Sequence, residues 1–252
     1  MSRKANPVYA DTKEAFMNSI RFIDLGLPSG TLWTDRNLGA VEPEGTGLYF
    51  RFGELVPLTG DSEEYTPVPL SEEHDWRDGR DNTNIACTIY DAAQMKFNID
   101  SCIPNITQIN ELIECCNKEY IKIGGTEGMK FTGPNGKHVF MPAGGRMENG
   151  FWEHDDTISI VNEHGPEDME DMEREVWGFY WGSNRIHYIR KTPYRMACAS
   201  AVSLAFSRDF AITEPARCHQ GLLIRPVRHV NQSDGRWMDK FYLIGRREKY
   251  LI

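Results

Sequence analysis

Between residues 84 and 118 the apolar positions fall three and four apart, and past Gly124 they fall two apart. Ile85, Ile89, Ala92 and Ala93 stand at i, i+4, i+7 and i+8, one apolar stripe that predicts a helix over 84–97. Ile106, Ile109, Leu112, Ile113 and Cys116 repeat the pattern over 105–118, with Pro104 just before the start. After Gly124–Gly125 the stretches MKFTG, KHVFMPA, WGFYWGSN, SLAFSRD and GLLIRPVRHV are short, aromatic or β-branched, and set off by Gly, Pro and Asn. They predict strands, and GGTEG (124–128) predicts a hairpin connection. Upstream, Asp11 and Glu14 have capping-box spacing and predict a helix over 12–19. Residues 21–33 read as strand, turn, strand around Gly26–Gly30, and 48–53 (LYFRFG) as a further strand. Residues 55–82, with Pro57, Pro67, Pro69 and many acids, read as a long surface loop.

The order is therefore a few strands, two helices, then many short strands. It predicts an α+β domain with helices beside a mainly antiparallel sheet. There is no internal repeat and no linker long enough to divide the chain into separate domains. Composition leaves this unchanged: 40% hydrophobic and 26% charged residues are ordinary for a soluble globular chain. Charge narrows the partners. With 28 basic and 37 acidic residues the formal net charge is -9, which argues against nucleic acid as the ligand. The acidic run EDMEDMERE (167–175) reads as a solvated face, and no apolar run approaches the roughly 20 residues of a membrane span. The opening MSRKANPVYADTKEAF has no apolar core of a secretory signal. The expectation is a protein that stays in the cytosol or leaves by lysis.

Candidate chemistry is sparse. The six cysteines (87, 102, 115, 116, 198, 218) contain no C-x-x-C pair and read as reduced, mostly buried thiols. Cys198 and Cys218, in neighbouring late strands, read as two separate core thiols. The seven histidines show no H-x-x-x-H spacing, and there is no G-x-S-x-G elbow or phosphate-binding glycine loop. The acid-rich 153–175 stretch lacks the Asp-x-Asp spacing of a calcium loop. The expectation is a non-enzymatic protein with no metal and no cofactor. Gly30 and Trp33 read as scaffold of the first hairpin, and Gly221 and Arg225 as scaffold of the last strand. Arg225, in an apolar strand, should pair with a carboxylate or with backbone carbonyls. Residues 180–219 are dense in Tyr, Trp, Arg, His and Asn, the composition of binding hot spots. Trp177, Phe179 and Trp181 alternate as core-lining residues would. Asn184, Arg185, His187, Tyr188, Arg190, Tyr194, Arg208 and Arg217 are the expected outward, ligand-binding positions.

Seven blocks, in order, carry a resemblance: LGLPSGTLW with NLGA, GLYFRFGE, DAA, IPNITQINELI, FTGPNGKHVFMPAGGR, GFYWGSN and GLLIRPVR. Together they resemble the major paralogous domain family of Fibrobacter succinogenes over roughly residues 21–229. The resemblance implies a C-type-lectin-like fold, shared with formylglycine-generating-type enzymes and with variable ligand-binding proteins made by diversity-generating retroelements. In such proteins the ligand surface comes from the segment between the GFYWGSN-like and GLLIRPVR-like blocks. Departures are Arg36 where the family has Cys, and Cys102 and Ile109 where it has Trp. Segments 1–20 and 230–252 have no family counterpart. The first offers Phe16 and Met17; 236–252 mixes Trp237, Phe241, Tyr242, Leu243 and Ile244 with five basic residues.

By analogy, the chain is expected to be a virion protein of a bacteriophage infecting Bacteroidetes: a fibre, capsid decoration or receptor-binding subunit. Its partners would be a host-surface glycan or protein. Other virion or surface proteins would be held through 1–20 and 231–252, as a homo-oligomer or within a larger assembly. The alternatives are a cell-surface adhesin and a formylglycine-generating-type oxidase.

Overall fold

Every strand pair among the described residues is antiparallel. The computed structural model describes residues 20–58, 84–96, 101–149, 158–161, 176–187 and 199–228. The expected helix 12–19, the acidic run 167–175, most of the 55–82 loop, Cys198 and the tail from 229 lie outside them. The first hairpin, β1 (Phe22–Asp24) and β2 (Leu32–Thr34), pairs Ile23 with Trp33. Its turn closes through Gly30 N–H to the Leu27 carbonyl at 2.9 Å, and Gly30 sits at φ +70, which a side chain would strain. The last strand, β11 (Val227–Arg228), adds to the other edge of β2, so the sheet runs β1-β2-β11.

α1 (Ala92–Lys96) is short, whereas α2 (Ile106–Cys115) starts where predicted and has a full capping box between Asn105 and Gln108. Gln108 also reaches Thr31 Oγ1 at 3.0 Å and so fixes α2 to the first hairpin. β3 (Asn117–Ile123), β4 (Thr126–Thr132) and β5 (His138–Pro142) form a second sheet, turning at Gly124–Gly125 as expected. β6 (Arg146–Asn149) and β7 (Ile158–Val161) make a two-stranded ribbon. β8 (Gly178–His187), β9 (Ala199–Phe206) and β10 (Ala211–Arg217) form the third sheet, with β9 central. The chain is thus α+β, mainly antiparallel strands with two helices among the described residues.

The sheet β8-β9-β10 lies between two apolar clusters. Phe179, Trp181, Ala201, Ala205 and Ala216 face one, with Phe50, Phe52, Ile85 and Ile103. Tyr180, Val202, Leu204 and Phe206 face the other, with Trp33, Ile109, Leu112, Phe131 and Met141. Period two sends alternate residues to opposite faces, so alternation of cluster membership along β8 and β9 means that both faces of these two strands are buried, whereas β10, on the edge, buries only Ala216. Phe179 and Trp181 are core, as their spacing suggests.

Three sequence expectations need correction. LYFRFG is not a regular strand. Phe50 makes a single two-way bridge with Leu222, and Phe52 N–H goes to the Cys218 carbonyl. The helix expected over 84–97 begins only at Ala92; Ile89, expected on its buried stripe, is 63% exposed. Helix 105–118 stops at Cys115, because Cys116 is already extended and leads into β3.

Of the expected scaffold residues, Arg225 precedes the last strand and does not lie within it. Trp33 is buried. Arg225 is fully buried and donates to the carbonyls of Thr34 (3.0 Å) and Phe140 (2.6 Å), joining the hairpin to β5. Burial pushes its guanidinium pKa down against the pull of Tyr180. Tyr180 donates to the Pro142 carbonyl at 2.7 Å and accepts from Asn37 Nδ2 at 3.1 Å, so this polar cluster is anchored to backbone. Gly221 exchanges two backbone hydrogen bonds with Met147, and a Cβ there would meet Leu58 Cδ1 at 2.3 Å.

Candidate functional site

With both faces of β8 and β9 covered, the surface this sheet leaves open is the edge strand β10, where Ile212, Pro215 and Arg217 are exposed, and the two ends of the sheet with their connections. At one end, Ser200 of β9 stands between Ile186 of β8 and Arg217 of β10, and His187 pairs with Ala199. The connection from β8 to β9 therefore leaves and re-enters the sheet here. Arg217 is exposed, and a tight turn follows it: Gln220 N–H donates to the Arg217 carbonyl at 2.9 Å. Gln220 Oε1 accepts from Arg217 N–H at 3.0 Å. An exposed guanidinium on a strand end presents a fixed fork of donors for carboxylate, phosphate or carbonyl oxygens.

The opposite end is built differently. Gly178, Phe206 and Ala211 meet there, and the β9–β10 turn closes through Ser207 N–H to the Phe210 carbonyl at 3.0 Å. Arg208 rides on that turn, exposed, its guanidinium 5.9 Å from the centroid of the Tyr120 ring. Arg208 and Arg217 are thus at opposite ends of one sheet and cannot share a compact ligand.

The remaining expected positions divide further. His187 ends β8 at the Arg217 end; Tyr188, Arg190 and Tyr194 lie outside the described residues. Asn184 and Arg185, expected to point outward, are each only 7% exposed. The cause is a break in register between Trp181 and Arg185, where β8 carries two residues more than β9. This bulge turns the backbone away from β9 and toward two neighbouring segments. Ser183 accepts from Ile85 N–H at 2.9 Å and donates to the Pro104 carbonyl at 2.8 Å. Asn184 Oδ1 accepts from Ile106 N–H at 2.8 Å, satisfying a donor in the first turn of α2 that the helix itself leaves open. Asn184 is therefore a helix-capping residue, not a ligand contact.

Sequence reasoning misses two features beside the bulge. Cys87 and Cys102 form a disulfide, their Cα atoms 5.2 Å apart, so these two are not the reduced thiols expected. Their 15-residue separation carries no metal-like or redox-like spacing, which is why the sequence does not reveal the pair. Cys115 and Cys116 are free thiols, and Cys116 and Cys218 are buried.

The second missed feature is Asp91, fully buried ahead of α1. Its Oδ1 accepts from the N–H groups of Ala93 (2.9 Å) and Gln94 (3.2 Å); its Oδ2 accepts from Cys87 and Ile103, both at 2.9 Å. Burial pushes its pKa up, and the four donors pull it back. An Asp directly before Ala-Ala is a helix N-cap signal, so this residue was findable.

Among the described residues no three His, Cys, Asp or Glu side chains cluster as a metal site would need, and no helix is long and apolar enough to cross a membrane. The chain matches no protein-family model, no curated protein and no solved structure.

Proposed function

We propose that the chain is a non-enzymatic binding and structural protein of a bacteriophage virion, with a C-type-lectin-like fold, presenting one end of its central sheet to a host-surface glycan or protein. One observation carries the reading. Between His187 and Ala199, the paired ends of β8 and β9, the sequence holds Tyr188, Arg190, Tyr194 and Arg195, and the exposed Arg217 stands at that same end of a sheet in which β8 and β9 are packed between two apolar clusters. A rigid sheet supporting a hot-spot-rich connection is how recognition loops are held at low entropic cost. The ordered seven-block resemblance supports the fold; the virion rests on analogy with lectin-like receptor binders.

The second reading is a cell-surface adhesin; the Cys87–Cys102 disulfide fits both readings, since such bonds persist on cell surfaces and on virions but rarely in cytosol. Both readings keep the same ligand end. Binding of the full chain to intact Bacteroidetes cells and to arrays of their surface glycans tests it. Arg217→Ala should lower affinity roughly tenfold or more, and Arg208→Ala, at the far end, should leave it unchanged. Absence of binding, or equal loss from both variants, would overturn the assignment of the site. Recovery of the chain in purified particles, as against cell-envelope fractions, separates virion from adhesin.

A further inference from the structure

The bulge in β8 rests on the disulfide. Ile85 N–H holds the Ser183 carbonyl, and Asn84 bridges Asn184, so the segment opening at Asn84 is backbone-paired to the bulge. The Pro104 carbonyl holds Ser183 N–H, and Ile106 N–H is capped by Asn184, so the segment after Cys102 is paired to the same two residues from the other side. Cys87–Cys102 joins these two segments covalently, and Asp91 joins them non-covalently through Cys87 N–H and Ile103 N–H. Cys87 is also the one non-glycine among the described residues with positive φ (+57). A residue there persists only when its surroundings hold it.

We propose that Cys87–Cys102 is a redox-operated clamp. Formed, it fixes the β8 bulge and the first turn of α2; opened, it releases them while the rest of the fold stays intact. Access is asymmetric: Cys87 is an exposed residue and Cys102 is buried. In opening, the thiolate of a small-molecule thiol attacks the Cys87 sulfur and the Cys102 thiolate leaves, taking a proton from solvent. A second thiol then displaces the mixed disulfide, so two external thiols are oxidised to one disulfide as the protein pair is reduced. Closing is the reverse, with a small-molecule disulfide as oxidant. The two backbone hydrogen bonds between Cys102 and Val227 are independent of the sulfur and keep Cys102 itself paired with β11.

The test is amide hydrogen exchange on the full chain, equilibrated in glutathione buffers from fully reduced to fully oxidised, with thiols counted by alkylation and mass. The expected result is a two-thiol step at Cys87 and Cys102. In the reduced chain, exchange at Ile85, Cys87, Ile103, Ile106 and Ser183 should be on the order of 100-fold faster, as expected for releasing a loop of this length. Amides of β3, β4 and β5 should keep their protection. A Cys87→Ser/Cys102→Ser double variant should match the reduced chain and ignore glutathione. Four outcomes overturn the proposal: no disulfide in oxidised glutathione, unchanged exchange at those five amides, loss of protection throughout on reduction, or a double variant that still responds to glutathione.

Discussion

Replacing Asp91 with Asn changes one atom and separates two roles. In Asp91 each oxygen takes two backbone N–H groups, Oδ1 within α1 and Oδ2 from Cys87 and Ile103. In Asn one of those positions becomes an amide that can only donate, so either orientation leaves two N–H groups, one buried and one half-buried, facing a donor. Each orphaned buried donor costs about 1–3 kcal/mol. Offsetting this, Asn removes a carboxylate whose burial is itself unfavourable, the same cause that pushes the pKa of Asp91 up. The net for Asp91→Asn should therefore sit near the lower end, about 2–4 kcal/mol. Asp91→Ala orphans all four donors and opens a cavity, and should cost more, a large fraction of the about 5–15 kcal/mol typical of a domain. Urea unfolding of the oxidised proteins gives the numbers. A midpoint for Asp91→Asn within error of the parent, at equal slope, would falsify the view that this carboxylate holds the turn and α1 together.

Two further outcomes follow from buried groups. Trp33→Ala removes a buried indole at the join of β1, β2 and β11 and should cost roughly 3–5 kcal/mol in the same assay; a loss under ~1 kcal/mol would show that the hairpin repacks. Stability should also fall in alkali. Burial raises Cys116 from an ordinary 9.0 to about 11 and Tyr49 from 10.0 to about 12. The folded chain thus holds both protons more tightly than the unfolded chain. Their contribution is complete below pH 9 and is lost as pH rises through the 9–11 and 10–12 windows. Urea midpoints at pH 8 and pH 10.5 check this, and equal midpoints would contradict it.

The legible regions of the fold are those where local chemistry and tertiary packing agree. Pro28, Gly30 and the flanking apolar residues specify a hairpin whatever surrounds it, and α2 carries stripe, cap and preceding proline together. The stretch 84–97 misleads because its helical spacing is interrupted by a turn held from outside, by Asp91 and by a disulfide invisible in the spacing. β10 is hard to read because Pro215 argues against a strand; it is tolerated on the edge of the sheet. The start of β3 reads as a helix end because Lys118, Glu119 and Lys122 give the strand a polar edge. For the site, the dense aromatic and basic composition of 180–219 draws attention to β8–β10, but composition does not say whether a strand has one free face or none. Asn184 and Arg185 read as outward for that reason, and a bulge that no pattern encodes turns them inward.

The β1-β2-β11 sheet has a mechanical consequence. β1 and β11 both run antiparallel to β2, hence parallel to each other, so the chain enters this body along one edge strand and leaves along the other in the same direction. A pull on the residues before Phe22 against those after Arg228 therefore slides the edge strands in opposite senses along β2. The ladder hydrogen bonds are loaded side by side, in shear, not peeled one at a time. The Arg228 guanidinium, 3.9 Å from the centroid of the Phe22 ring, couples the two loaded strands directly. Tension applied through the two ends of this body is borne by the ladder of three short strands, β1, β2 and β11.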